Sequence, residues 1–193
     1  MPGVGRSFRI VRYLVAIPLS EAEAGPFIDL RDSYRHYAPR WKLTLGPHIT
    51  IHRPQESLVP IGTAIELFNR TAQYQHFSLS FNTIGAFIGK RNSAVYFEPD
   101  SHLPFNQIRK LYQPTAQLIL KNSIEEWDFH PHLTLINRLT AESAQQLLDE
   151  LESPSLKAAL SFMGNPFRFD KVCLYKKEAS DGSWQEIAQN KLS

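Results

Sequence analysis

Pro47-His48-Ile49-Thr50-Ile51-His52-Arg53-Pro54 returns 84 residues later as Pro131-His132-Leu133-Thr134-Leu135-Ile136-Asn137. In each copy a histidine and a threonine alternate with aliphatic residues. Successive side chains on a strand point to opposite faces, so His48 and Thr50 share one face while Ile49 and Ile51 fill the other. His132 and Thr134 repeat the division against Leu133 and Leu135. Either copy alone reads as a half-buried antiparallel strand whose polar face begins with histidine. The pair makes coincidence the weaker account.

Outward from these strands, the elements repeat in the same order. The buried run from Arg12 to Leu19 predicts a strand, and Ser20 with Glu23 predicts a capping box, with the helix proper beginning at Gly25-Pro26. Phe27, Leu30, Tyr34 and Tyr37 fall on one face of that helix, while Asp29, Arg31, Asp32 and Arg35 solvate the other. After the first His-x-Thr strand, Pro60 opens a helix with Ile61, Ala64, Ile65, Phe68 and Ala72 inward. Phe77 to Ile88 alternates as one long strand. Beyond a turn at Gly89-Lys90-Arg91-Asn92, Ser93 to Glu98 is a strand, and Pro104 opens a helix that Pro114 must kink or split. The second His-x-Thr strand follows, then a helix capped by Thr140 and buried through Ala144, Leu147, Leu148 and Leu151. A hairpin of Phe167–Tyr175 and Trp184–Ala188 turns at Ser180-Asp181-Gly182.

This order predicts an α+β fold of duplicated strand-helix-strand-helix-strand lobes with mainly antiparallel sheets. The whole chain, 1–193, is then one bilobal domain, with lobes at about 12–88 and 93–190. A pseudo-two-fold would bring the two polar strand faces together across a central cleft.

Bulk properties narrow the partners. A net charge of +2 is too small for a nucleic-acid binder that works through its overall field, so an anionic substrate must be held by local charge. The single cysteine, Cys173, excludes an intramolecular disulfide and a cysteine zinc cluster, and a reducing cytoplasm is the expected location. Arg6, Arg9 and Arg12 before Tyr13–Ile17 faintly imitate a signal peptide, but the apolar run stops at Pro18 and reads as a strand. No stretch approaches transmembrane length. No membrane association and no obligate protein partner are expected.

Two facing imidazoles suit a reaction in which one proton is removed at one end of a bond and another delivered at the other end, because neutral and charged histidine coexist near neutral pH. A hydroxyl two residues along each strand would sit beside each imidazole and donate to a phosphate oxygen. Four such groups around one tetrahedral centre describe a phosphodiester site that needs no metal and no cofactor.

The paired His48-Ile49-Thr50-Ile51 and His132-Leu133-Thr134-Leu135 resemble the motifs of the 2H phosphoesterase superfamily, which includes the bacterial RNA 2',3'-cyclic phosphodiesterases historically called 2'-5' RNA ligases. The resemblance covers most of the chain, since duplicated α+β lobes around a cleft are the family's architecture. It implies metal-independent opening of a cyclic phosphodiester, with His48 and His132 as general base and acid, in either order, and Thr50 and Thr134 on the phosphate. The implied substrate is a cyclic-phosphate nucleotide or RNA end. Family substrates also include 2'-5' linked oligonucleotides and ADP-ribose cyclic phosphates, among which the motifs do not discriminate.

Strict alternation adds further candidates. It places His52 on the face of His48 and His130 on that of His132, and the register that sets His48 near Thr134 sets His52 near His130, either as exposed polar-face residues without a role or as a second imidazole pair for the distal part of a substrate. Arg53 then points off the opposite face, or toward the rim as a phosphate ligand if the chain turns before Pro54. Trp41, Trp127 and Phe129 flank the motifs as possible base-stacking rings or core, while Lys90 and Arg91 read as solubilising charges. Two rivals share these residues. A metallohydrolase would ligate its ion through His130-Pro131-His132 with His48 and His52, but leaves the matched threonines unexplained. A non-catalytic RNA- or nucleotide-binding module would keep the fold without turnover.

Overall fold

The computed structural model describes residues 10–39, 45–71, 73–120, 128–178 and 182–193. The first repeat supplies β1 (Val11–Pro18), α1 (Glu21–Ser33), β2 (His48–Ser57), α2 (Ile61–Asn69), β3 (Phe77–Leu79) and β4 (Thr83–Phe87). The second supplies β5 (Ser93–Glu98), α3 (Leu103–Leu120), β6 (Leu133–Leu139), α4 (Ala141–Leu151), α5 (Pro154–Ala159), β7 (Phe167–Phe169), β8 (Lys171–Glu178) and β9 (Gln185–Lys191). The fold is α+β, and every strand pairing among the described residues is antiparallel.

Capping decides where α1 begins. Ser20 Oγ accepts the Glu23 N–H at 3.3 Å, and the Glu23 carboxylate accepts the Ser20 N–H at 3.4 Å. Because this box satisfies two of the helix's orphan amides, α1 starts at Glu21, and Pro26 lies in its second turn rather than opening it. The other Glu23 oxygen accepts the Arg168 N–H at 2.6 Å, fastening the helix start to β7. Pro114 does not split α3. It sits on the exposed side, while Phe105, Ile108, Tyr112, Ala116 and Ile119 are buried before and after it and hold both halves to the core. Each large apolar side chain among them contributes about 1.5–3 kcal/mol by leaving water.

The expected single strand from Phe77 to Ile88 is two strands in two sheets. At the break, Phe81 turns inward against Phe167 and Phe169, its N–H bonded to the Met163 carbonyl at 2.8 Å. Alternation cannot register such a step, because a buried Phe at the break keeps the period of two. The second repeat breaks likewise at Asp170, and β3 and β7 pair with each other. Beyond the breaks the chain crosses over: β4 pairs with β5, and β8 with β1. The result is a seven-stranded sheet in the order β4-β5-β6-β2-β1-β8-β9. Its halves meet at β6 and β2, where Ile49 pairs with Leu133.

The helices bury one face of the sheet, where Tyr13, Val15, Ile17, Ile49, Ile51, Val95, Phe97, Leu133, Leu135 and Ile136 join one core. The other face carries Leu14, Ala16, Cys173 and Tyr175 around β1 and β8. Directly paired residues share a face, so Ala16 puts Thr50 on this second face, and Tyr96 puts Thr134 there.

The repeat extends to a shared irregularity. Val15 pairs with His52 and Ala16 with Thr50, leaving Ile51 as an extra residue; Val95 pairs with Ile136 and Tyr96 with Thr134, leaving Leu135 extra. Each His-x-Thr strand therefore bulges one residue after its threonine.

Candidate active site

His48 and His132 are held in the same way. The His48 Nδ1–H donates to the Gly46 carbonyl at 2.7 Å, and the His132 Nδ1–H donates to the His130 carbonyl at 2.7 Å. In both cases the acceptor is two residues upstream. A carbonyl can only accept, so Nδ1 carries a proton and Nε2 is the atom left for chemistry. The pairing of Ile49 with Leu133 sets His48 across from Thr134 and Thr50 across from His132 over the strand junction. All four side chains are half-buried on the face away from the helices.

Both imidazoles are held below the ordinary histidine range. For His48 the main cause is burial, opposed by the Gly46 carbonyl and reinforced by the charge of Arg31. For His132 it is again burial, opposed by its own acceptor carbonyl and reinforced by His130, His48 and Arg53. His48 thus acts electrostatically on His132, as two imidazoles sharing one site would.

The bulge at Ile51 reverses the expectation for His52. Paired with Val15, it points into the helix-covered core, 2% exposed, against the Arg109 backbone carbonyl. It makes no pair with His130. Burial, then the Arg109 charge, lowers it to about 4, so it is neutral at physiological pH. One residue beyond His52, Arg53 falls on the side of Leu14, the face of the two histidines, where its charge reaches His132. Arg53 therefore lies on the site's face instead of projecting from the opposite one, because the one-residue bulge at Ile51 inverts the alternation for the residues that follow it.

Arg31 is the residue the sequence reading misplaced most. It does not solvate α1; it is 3% exposed and bears on His48. The signal was present, since Phe27, Arg31, Tyr34 and Ala38 follow the i, i+4, i+7, i+11 spacing of one stripe, and all four are buried. Arg109 was also unforeseen. From α3 it lies within electrostatic reach of His52 and Arg53, its guanidinium 4.8 Å from the centre of the Phe129 ring. Trp41 and Trp127 lie outside the described residues.

His132 is walled by aromatic rings. Phe87 and Tyr96 stack with centroids 4.3 Å apart, at 5.0 and 5.1 Å from the His132 ring. A Cβ on Gly85 would fall 2.7 Å from the Tyr96 ring, so only glycine lets that ring lie down across the strand. His130 packs on the same two rings and faces Glu98 and His102. The four-histidine ligand set expected for a metallohydrolase does not assemble, because His52 faces the core. A cavity of about 540 Å³ lies elsewhere, lined by Phe81, Ile84, Phe97, Leu160 and Met163.

A family model for the 2'-5' RNA ligase superfamily matches residues 19–181. The chain belongs to that superfamily. Its members are 2H phosphoesterases, and the chain has a phosphoesterase-type function. Among solved structures, Escherichia coli LigT complexed with 3'-AMP superposes with a TM-score of 0.67 at 16% identity, covering 95% of this chain and 99% of LigT. LigT complexed with ATP gives 0.62 at 17% identity over 96% and 99%. A Thermus thermophilus protein gives 0.59 at 15% identity over 94% and 97%. At these identities the superpositions establish the fold. No curated protein matches the chain significantly. Among the described residues no helix is long and apolar enough to cross a membrane.

Proposed function

We propose that the protein opens cyclic phosphodiesters, the 2',3'-cyclic phosphate of an RNA end or a small nucleotide, with His48 and His132 as paired acid and base. The observation that carries this reading is the matched pair of Nδ1–carbonyl bonds, which leaves both Nε2 atoms for proton transfer across one seam. Water attacks phosphorus while one neutral Nε2 takes its proton. The bond from phosphorus to one ribose oxygen breaks, and the other imidazolium protonates that oxygen. Thr50 and Thr134 donate to the equatorial oxygens, and Arg31 and Arg53 supply positive charge where negative charge develops.

The depressed histidines fit this scheme. Without substrate, burial first and the arginines after it disfavour the charged form of both rings. An anionic phosphodiester offsets the arginines and favours the imidazolium, so binding itself loads the general acid. The decisive assay is hydrolysis of 2',3'-cyclic nucleotides and of RNA ending in a cyclic phosphate. His48→Ala and His132→Ala should each lose roughly a hundred- to ten-thousand-fold in kcat. Turnover equal to wild type in either variant overturns the assignment, and tight binding with no turnover in the wild type indicates a nucleotide-binding module instead.

A further inference from the structure

His102 takes no part in the chemistry above, yet it completes a second constellation. Glu98 ends β5, His102 immediately precedes α3 and its carbonyl accepts the Asn106 N–H at 3.0 Å, and His130 lies two residues before His132. Glu98 Oε1 is 2.9 Å from His102 Nε2 and 3.6 Å from His130 Nε2. One donor atom from each residue lies within 4.8 Å of the other two. The imidazoles stand at 83° with centroids 5.0 Å apart, so they converge instead of stacking.

We propose that Glu98, His102 and His130 form a binding site for a divalent transition metal ion, with zinc as the natural occupant. A tetrahedral zinc with bonds of about 2.0–2.1 Å spaces its donors about 3.3 Å apart, and the two measured separations bracket that value. Two imidazoles and one carboxylate are an established zinc donor set that leaves a fourth position for water. Side chains near one-third exposed admit that water. An ion pair alone does not account for the cluster. Glu98 is within hydrogen-bonding distance of one imidazole only, and His130 Nε2 is shielded from solvent with no hydrogen-bond partner among the described residues. A cation between the three groups supplies that nitrogen with its missing partner.

The ion's place in the molecule is structural. It ties the end of β5 to the start of α3 and to the residue whose carbonyl holds His132 Nδ1–H. It takes no part in the proton transfers, and its existence does not rest on the proposed reaction.

The test uses the full chain after dialysis against a chelator. Calorimetric titration with Zn2+ should show one saturable equivalent, and Co2+ should give the visible d–d absorption of a tetrahedral site. Zn2+ should raise the melting temperature. His102→Ala and the near-isosteric Glu98→Gln should each weaken Zn2+ binding at least about tenfold while circular dichroism remains that of wild type, because the first removes a ligand and the second exchanges an anionic oxygen donor for a weaker, neutral one. His36→Ala and His76→Ala should bind as wild type. No saturable equivalent, or an equivalent that survives both Glu98→Gln and His102→Ala, overturns the site. Hydrolysis assays are not needed for either outcome, so failure here is distinct from failure of the proposed reaction.

Discussion

Replacing His52 by isoleucine tests whether the β2 bulge inverts the strand as described. Ile136 occupies the equivalent place in the second repeat, so the substitution copies the other half of the molecule. His52 is neutral in the fold, with a value of about 4, against about 6.5 in an unfolded chain. The unfolded chain takes up a proton first on acidification, so this contribution to stability is fully present above about pH 6.5 and is lost as pH falls toward about 4. The slope between those values is about 1.4 kcal/mol per pH unit, so going from about pH 7 to about pH 5 costs the wild type about 2 kcal/mol through this residue. His48 and His132 are also depressed and add to the total loss. They do so equally in both proteins, and the difference isolates His52. Urea unfolding of wild type and His52→Ile at the two pH values reads this difference from the denaturation midpoints. If both proteins lose the same stability on acidification, His52 is solvated on the cleft face and the bulge argument is wrong.

The charges around the histidines can be separated by kinetics. Removing Arg53 as Arg53→Gln should raise the pKa of His132, moving to higher pH whichever limb of the kcat/KM profile belongs to that ring; Arg31→Gln should do the same for His48. Together the two profiles assign base and acid, and an unmoved profile in both variants would remove these arginines from the site's electrostatics. Ser20→Ala should cost about 1 kcal/mol, seen by thermal melting as a drop of about 2–4 °C for a chain of this size.

Much of the architecture could be read without coordinates because periodicity is local. The two His-x-Thr strands, the Ser20 and Thr140 caps, the α4 stripe and the order of elements in two repeats all follow from spacing along the chain. The expected register also holds, since Ile49 pairs with Leu133. Expectations failed where geometry depends on a partner strand or on distant packing. Phe77 to Ile88 divides because Phe81 finds a place under β7, which no local pattern contains. Arg31 is buried because the packed interior leaves a charged group beside His48, although its position in the Phe27–Tyr34 stripe was visible.

The residues alone, then, determined that two strands present a histidine and a threonine each, and that an internal repeat can bring the strands together, because side-chain alternation and helical spacing are properties of the local backbone. Only the tertiary structure decided which neighbouring residues join them. A bulge is a mismatch between two strands, so neither strand's sequence states it. Through Ile51 that mismatch sends His52 into the core and, one residue on, Arg53 to the site. The convergence of Glu98, His102 and His130 likewise exists only once β5, α3 and the approach to β6 are packed side by side.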